Sequence, residues 1–385
     1  MDKKTDVPAS ASRSLREVLG VFLKLGTIAF GGPAAHIAMM HDEACQRRHW
    51  VSEERFLDLL GAANLIPGPS STEMAMYLGY ERAGWRGLIA GGVCFILPAM
   101  LIVLALAWAY VRYRSAPQAV WLLYGIKPVV VAVIVQALWK LLRTAVKGPL
   151  LALVGCVVLG SYLAGLNAIV LIFGSGLLVM AVRNGWRLWQ GDKVSLFALL
   201  PSAALPAAMT QFSLASLFFT CLKIGSVVFG SGYVLLAFLR GDFVNHLGWL
   251  TDQQILDAVS VGQFTPGPVF TTATFIGYLL GGTPGALLGT LGIFLPSFLF
   301  AAAVFPLVTR LRRSSWAGAF LDGVNVGALG LIAGVTWQLG RAAIVDWLTL
   351  VLSAASAFVL FRFRVNSAWV LLAGGITGLI YRLVT

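Results

Sequence analysis

Side chains that could hold an anion occur twice along the chain, in the same order each time. Lys24 and Lys223 stand 199 positions apart, each inside an otherwise apolar segment, and hydroxyl side chains follow a proline-flanked glycine in each half. The hydroxyl residues are Ser70, Ser71, Thr72, Thr271 and Thr272. Ammonium groups, hydroxyls and the free backbone N–H groups at a helix start donate hydrogen bonds. Because the oxygens of a tetrahedral oxyanion only accept, this pattern predicts an oxyanion site; lysines that snorkel to an interface are the alternative.

Carboxyl side chains near these residues could carry a proton. Glu73 comes within two turns of Pro67-Gly68-Pro69, whereas the corresponding residue of the second half is Thr272. A proton carrier needs a carboxyl whose charged form is disfavoured by burial. The apolar surroundings predict this for Glu73, and a wet helix end is the alternative. The other candidates recur as pairs, Glu43 with Asp242 and Asp58 with Asp257. Asp58 and Asp257 follow polar stretches and could instead face an aqueous vestibule or pair with a lysine.

The elements that must position these residues are repeated helices with breaks inside them. The spacing of 199 relates Pro67-Gly68-Pro69 to Pro266-Gly267-Pro268, and a shift to 198 relates Pro98 to Pro296. A register kept over two halves indicates a duplicated fold. A helix broken within a membrane leaves backbone groups that must face protein, water or a ligand. The predicted substrate-binding residues are therefore Lys24, Phe30, Gly31, Gly32, Pro33, Pro67, Gly68, Pro69, Ser70, Ser71, Thr72, Lys223, Phe229, Gly230, Ser231, Gly232, Pro266, Gly267, Pro268, Thr271 and Thr272.

Composition fixes the broad class. Hydrophobic residues make up 58% of the 385 residues, charged residues only 11%, and the mean hydropathy is +0.85. A soluble chain carries about 25% charged residues, so we predict an all-α polytopic membrane protein of two homologous repeats, each with broken or re-entrant helices followed by transmembrane spans. The predicted spans are 86–111, 119–139, 149–165, 166–182, 285–309, 318–340, 346–361 and 367–381. The net charge of +12 sits mostly at helix ends, which excludes a nucleic-acid footprint.

The domain boundaries follow from the repeat. We expect a cytoplasmic tail over residues 1–13 without a signal peptide, a first repeat over 14–183, a linker over 184–210 and a second repeat over 211–385. Lys and Arg residues concentrate at opposite ends of the two repeats, which favours opposite insertion of the halves. The four cysteines lack metal-ligand spacing, so neither a metal nor another cofactor is predicted. Lys127, inside a predicted span, has Asn325 as its counterpart, and His36 is read as structural.

The duplicated frame resembles the chromate ion transporter family in its long, two-domain form. The carrying signals are Phe30-Gly31-Gly32-Pro33, its counterpart Phe229-Gly230-Ser231-Gly232 and the two Pro-Gly-Pro tripeptides. The resemblance implies efflux of chromate across the bacterial inner membrane, driven by the proton motive force and conferring chromate resistance, with sulfate as a competitor. The second half has Gly232 in place of the proline, which leaves open whether both halves contact substrate.

Other functions stay open from the residues alone. A transporter of sulfate or another oxyanion would use the same donors, and an anion channel would show flux that ignores a proton gradient. A membrane enzyme acting on lipid phosphates would need a cluster of acid, base or nucleophile, and the four histidines form no repeated pair, so we expect no enzyme. The expected partners are chromate, sulfate, protons and the lipid bilayer, with a homodimer as one option and no nucleic acid.

Overall fold

The structure is a computed structural model that describes residues 9–113, 116–189, 211–229, 232–305, 315–363 and 365–384. Its elements are helices, and the two halves follow one plan. The first half contains α1 Ala9–Ile28, α2 Gly32–His41, a π-helical segment Asp42–Arg47, α3 Glu53–Ala63, α4 Ser70–Tyr113, α5 Pro117–Ala145, α6 Pro149–Leu163 and α7 Ala168–Trp189. The second contains α8 Leu214–Val227, α9 Leu235–Leu239, a π-helical segment Arg240–His246, α10 Asp252–Phe264, a 3₁₀ turn Val269–Thr271, α11 Thr272–Val304, α12 Ser315–Ala343, α13 Trp347–Phe363 and α14 Ser367–Val384. The predicted all-α class with a duplicated plan is confirmed.

Helices α4 and α11 are each bent back on themselves. Ala83 and Gly84 leave the helical conformation, and a methyl group on Gly79 would overlap the Gly87 carbonyl group. Residues 70–82 therefore form a short arm that packs antiparallel to a long arm over residues 85–113. Gly281 and Gly282 make the same break in α11. Gly84 and Gly282 both have φ of 61°, a backbone conformation that glycine adopts at no steric cost.

The helices before the long arm form two helical hairpins. Lys24 on α1 pairs with Glu43 just after α2, at 3.0 Å, so α2 returns alongside α1. Arg55 at the start of α3 pairs with Glu81 at the end of the short arm, at 2.6 Å, so the short arm returns alongside α3. The two elements of each hairpin thus have their outer ends side by side. We call residues 29–33 the first tip and residues 66–69 the second tip of this repeat; the described residues among 228–232, and residues 265–268, are the equivalent tips of the other.

The long arms of the two repeats run in opposite directions. Ser297, in the long arm of α11, lies against Gly68 at the second tip. Farther along the same arm, the ring of Phe305 lies 4.0 Å from that of Tyr80, between centroids. Tyr80 is at the end of the short arm, beside the start of the long arm of α4. The long arm of α11 therefore ends where the long arm of α4 begins.

The later helices pack across the repeats. Helix α5 packs on α13 and α14, and α12 packs on α6 and α7. Small residues allow this close approach: methyl groups on Gly125 and Gly323 would overlap the carbonyl oxygens of Gly374 and Ser175. Helix α5 and its counterpart α12 are thus each enclosed mainly by helices of the other half.

The outer surface is apolar. Six helices of the described segments are long and apolar enough to cross a membrane, and the shorter apolar helices α6, α8 and α13 accompany them. Leu101, Leu153, Trp337 and Trp369 are among the exposed apolar side chains, as expected for a surface that faces lipid. The eight predicted spans correspond to the long arms of α4 and α11 and to α5, α6, α7, α12, α13 and α14; residues 306–309 of one predicted span lie outside the described residues.

Candidate functional site

The tips of the two repeats are joined by two equivalent backbone hydrogen bonds. The Gly68 N–H donates to the Val228 carbonyl oxygen at 2.7 Å, and the Gly267 N–H donates to the Ala29 carbonyl oxygen at 2.9 Å. Donors and acceptors are each related by the 199-residue spacing. We call these contacts the Gly68 crossing and the Gly267 crossing. Predicted breaks from both halves therefore meet within one site.

Glycine is required at both crossings. Gly68 has φ of 138° and Gly267 has φ of 83°, in the region that L side chains rarely adopt. A methyl group on Gly267 would lie 2.7 Å from the Ala99 Cβ, and one on Gly68 would overlap the side chains of Glu73 and Ser297. The flanking residues Pro67, Pro69, Pro266 and Pro268 hold the turns between the helices.

The start of α4 is buried and rich in donors. The side chains of Ser70, Ser71 and Thr72 are buried, and the N–H groups of Thr72 and Glu73 donate to the Pro69 carbonyl oxygen. The first N–H groups of a helix have no intrahelical acceptor, which places those of Ser70 and Ser71 at the second tip. The Thr72 hydroxyl is without a hydrogen-bond partner among the described residues.

Glu73 occupies the first turn of α4 in a fully buried position. Neither of its carboxyl oxygens has a hydrogen-bond partner within the described part of the chain, and the same holds for the fully buried Ser297 hydroxyl. The Glu73 Oε1 and the Ser297 Oγ both lie within 2.5 Å of the position that a Cβ on Gly68 would take. The two oxygens are therefore within about 5 Å of each other, although they belong to different repeats.

The Gly267 crossing has no such polar pair. Ala99 takes the place of Ser297, and Thr272 takes the place of Glu73. The Thr271 hydroxyl donates to the Pro268 carbonyl oxygen at 2.8 Å, and the Thr272 hydroxyl donates to the Val269 carbonyl oxygen at 2.7 Å. The hydroxyls of the second repeat are thus bonded within their own turn, and the site is polar on one side only.

The first tips carry the predicted glycines. Gly31 and Gly32 have φ of 104° and 77°, and Pro33 lies in the first turn of α2. The Tyr233 hydroxyl of the second repeat lies 3.9 Å from the position that a Cβ on Gly32 would take. Phe30 is partly buried, Phe229 packs edge-on against Phe173, and Gly232 lies against Val269. Gly230 and Ser231 lie outside the described residues.

Both predicted lysines are held in ion pairs. Lys24 pairs with Glu43, which also receives Arg48, and Lys223 pairs with Asp242. The pairs are repeat equivalents, and each joins the first helix of its repeat to the π-helical segment. Burial raises the pKa of the Glu43 carboxyl, but the hydrogen bonds and charges of Lys24 and Arg48 outweigh it and hold this pKa below its usual value. These acids are therefore ion-pair partners of the lysines.

The two members of the second acidic pair, Asp58 and Asp257, have different surroundings. Asp257 on α10 is buried, its Oδ1 lies 3.0 Å from the Lys127 ammonium group, and its Oδ2 accepts from the Tyr110 hydroxyl at 2.9 Å. Both partners come from the first repeat. Asp58, the counterpart of Asp257, is more exposed on α3 and also has an interaction partner.

His36 has a structural environment, as its sequence context predicts. Its Nε2–H donates to the Ala29 carbonyl oxygen at 3.0 Å, and its ring packs edge-on against Phe95. Because the Ala29 carbonyl also accepts from Gly267, His36 supports the Gly267 crossing. The His36 side chain therefore stabilises the first tip of the first repeat.

One group of side chains has the donor types of a metal site. The ligand atoms of His41, Cys45 and Glu53 lie within 4.8 Å of one another. In the second repeat, the counterparts of His41 and Glu53 are Arg240 and Asp252, which form a direct ion pair at 2.7 Å. The His41–Glu53 contact is therefore the repeat equivalent of the Arg240–Asp252 ion pair, which joins the π-helical segment to the next helix.

Comparison with known proteins settles the family. A family model described as a chromate transporter matches residues 16–180 and 215–379. The chain belongs to the chromate transporter family. It is 37% identical to a "Probable chromate transport protein" of Synechococcus elongatus over 86% of each chain, and 34% identical to a "Chromate transport protein" of Cupriavidus metallidurans over 96% of this chain and 93% of the relative. A "Chromate transport protein" of Pseudomonas aeruginosa is 32% identical over 98% of this chain and 95% of the relative. No solved structure matches.

Membership of the chromate transporter family agrees with the apolar helices: the chain is a multi-pass protein of the bacterial inner membrane. The two matched segments of this family member carry one pair of tips each. Sequence reasoning did not identify Ser297 or Tyr110. Ser297 lies near Glu73, and Tyr110 donates to Asp257, in each case from the opposite repeat. The difference between Ser297 and its counterpart Ala99 was the available signal.

Proposed function

We propose that this protein exports chromate across the inner membrane by alternating access, driven by the proton motive force, and so confers chromate resistance. Its membership of the chromate transporter family and the names of its relatives support the substrate. Sulfate, another tetrahedral dianion, is the expected competitor. The protein acts as a transporter rather than an enzyme, and a homodimer that buries part of its exposed apolar surface is one option for its assembly.

The observation that carries the proposal is the meeting of tips from both repeats at the Gly68 and Gly267 crossings. The oxyanion would bind where the helix starts of the tips supply N–H groups and hydroxyls. A helix start stabilises a single negative charge by about 0.3–2 kcal/mol, depending on burial. The opposite directions of the long arms support two repeats inserted in opposite orientations, with the site between them.

Glu73 is the proposed proton carrier. A charged carboxylate removed from water without a partner costs several kcal/mol, far more than the neutral acid. Glu73 is fully buried at the Gly68 crossing and forms no ion pair within the described residues. A proton on Glu73 would therefore let the tip change its exposure without a buried charge. Glu43, Asp58, Asp242 and Asp257 remain proposed secondary participants, because each has a partner that must be exchanged first.

The lysines would act at the entrances to the site. Lys24 is half exposed and Lys223 is partly exposed, each on the helix that leads to a first tip. An arriving oxyanion could replace Glu43 or Asp242 as the partner of the ammonium group. The lysine would then attract the anion before the backbone donors hold it.

Uptake of radiolabelled chromate into inverted membrane vesicles tests the function, since uptake there corresponds to export from the cell. We expect accumulation that depends on an imposed proton gradient and that unlabelled sulfate reduces. Equilibration that ignores the gradient would indicate an anion channel instead. Vesicles without the protein give the background, and no flux of either anion above it would refute the proposed substrate class.

A further inference from the structure

We propose that Glu73 and Ser297 form a single proton-binding site shared by the two repeats, in which Ser297 is the positioning residue that lets the Glu73 carboxyl release its proton. The inference rests on the proposed role of Glu73 as proton carrier. It adds the residue from the opposite repeat that makes this role reversible, and it limits the site to one proton per chain.

The Ser297 hydroxyl is available to Glu73. Buried hydroxyls on helices of this protein usually donate to a carbonyl oxygen of their own helix, as Ser260 does to Leu256 and Thr290 does to Ala286. Ser297 is fully buried and makes no hydrogen bond within the described segments. Its Oγ and the Glu73 Oε1 lie on the same side of Gly68, within about 5 Å of each other. The hydrogen bond between them requires a side-chain rotation that closes this distance to about 3 Å.

The hydroxyl favours the charged form of the carboxyl. A hydroxyl can accept from a carboxylic acid or donate to a carboxylate, and the bond to the charged form is about twice as strong. Hydrogen bonds to the charged form of a group favour that form. Ser297 therefore lowers the free-energy cost of proton release from Glu73.

No charged side chain of the described residues is available to take the place of Ser297 beside Glu73. Among the elements packed against the start of α4, Lys24 pairs with Glu43, Arg55 pairs with Glu81, and His36 donates to the Ala29 carbonyl oxygen. Asp58 on α3 has its own interaction. Tyr77, one turn after Glu73, is fully buried with its hydroxyl unpartnered among the described residues, and it is the nearby titratable group on the same helix face.

Among the residues that the structure describes, the Glu73–Ser297 arrangement has no equivalent at the other crossing. At the Gly267 crossing the equivalent residues are Ala99 and Thr272, and the Thr272 hydroxyl donates within its own turn. Neither of these two residues supplies a carboxyl or an available hydroxyl. Because the Gly68 N–H also forms the bond to Val228, a change at the Glu73–Ser297 site acts directly on a contact between the repeats.

The test is the pH dependence of gradient-driven chromate uptake by the full chain in proteoliposomes. Ser297→Ala removes the donor to the carboxylate, so the pH midpoint should rise by about half a unit to one unit, which corresponds to a proton held about three- to tenfold more tightly. Ser260→Ala removes a buried hydroxyl that bonds within its own helix, and Ala99→Ser adds a hydroxyl at the crossing without an acid. Both controls should keep the wild-type midpoint.

The outcomes separate this inference from the proposed function. If Glu73→Gln abolishes gradient-driven accumulation but Ser297→Ala keeps the wild-type midpoint, the shared site is refuted and the transport function stands. If wild-type protein shows no gradient-driven uptake, the proposed function itself fails. Should Ser297→Ala not fold, as judged by gel filtration, Ser297→Cys retains the size with a weaker donor and should shift the midpoint in the same direction.

The number of protons gives a second measurement. With the membrane potential clamped at zero and at alkaline pH, where chromate is fully ionised, a tenfold chromate gradient should be balanced by a pH difference of about one unit, since both correspond to about 1.4 kcal/mol. Balance at about half a unit would mean two protons and would overturn the single site.

Discussion

Replacement of Gly68 by alanine tests whether the tips meet as tightly as the structure shows. The new methyl group would overlap the carboxyl of Glu73 and the hydroxyl of Ser297, and alanine would have to adopt φ of 138°. Backbone strain of this kind costs about 1–3 kcal/mol, and overpacking in a closed core costs about 1–3 kcal/mol. Together they predict a loss of about 2–6 kcal/mol, which is a large fraction of the roughly 5–15 kcal/mol by which a typical protein is stable.

Gly248→Ala is the matched control. Gly248 has φ of 64° and open space around the position of a Cβ, so its replacement carries backbone strain without a clash. The equivalent residue of the first repeat is His49, which has φ of 51°. The position therefore tolerates a side chain, and we expect a loss near the lower end of the range for strain, about 1 kcal/mol.

The assay is thermal unfolding of the purified protein in detergent, together with chromate uptake by the same preparation in proteoliposomes. Gly68→Ala should melt well below Gly248→Ala, and it should transport poorly even at temperatures where it stays folded. If Gly68→Ala melts with Gly248→Ala and transports like wild type, the close packing of Gly68 against Glu73 and Ser297 is wrong.

Three further predictions concern the charged side chains. Lys24→Gln should change the melting temperature little, because Glu43 keeps Arg48 as a partner, whereas Lys223→Gln leaves the partly buried Asp242 carboxyl without this partner and should lower the melting temperature more. The double variant should raise the KM for chromate, and unchanged transport kinetics would exclude the lysines from anion capture. Asp257→Asn leaves the largely buried Lys127 charge without its ion-pair partner and should lower the free energy of unfolding by about 3–5 kcal/mol. The double variant with Lys127→Met should recover part of this stability in a melting experiment. No recovery would argue against the ion pair. The pKa of the Glu43 carboxyl is held below its usual value, so its ion pairs should stabilise the protein above the usual carboxyl pKa and lose this effect as pH falls through the lowered value. The melting temperature of Glu43→Gln should therefore depend less on acid pH than that of the wild-type protein. An equal dependence would contradict the lowered pKa.

Much of the fold could be predicted from the sequence because the second half contains helix-breaking residues at the same positions as the first. Proline and glycine stop helices for local reasons, so the tips at Gly31-Gly32-Pro33 and Pro67-Gly68-Pro69 were visible without any tertiary contact. The break inside α4 was less visible. Gly84 permits it, but the antiparallel packing depends on Gly79 and Gly87, whose backbones touch only after the hairpin has closed.

The candidate site was predictable only within each half. Lys24 and Glu43 share the spacing of Lys223 and Asp242, so the ion pairs could have been anticipated from the repeat itself. Ser297 could not be joined to Glu73 in this way, because their proximity depends on which long arm crosses which tip. Packing between halves decides that, and the spacing of residues within one half carries no information about it.

Gradient-driven chromate accumulation by wild-type protein and Glu73→Gln in proteoliposomes tests the central claim most directly. The account predicts that wild-type protein concentrates chromate above equilibrium when a proton gradient is imposed, and that Glu73→Gln, although folded, only lets chromate equilibrate or does not move it. Accumulation by Glu73→Gln equal to that of wild type would contradict the assignment of proton coupling to the Gly68 crossing.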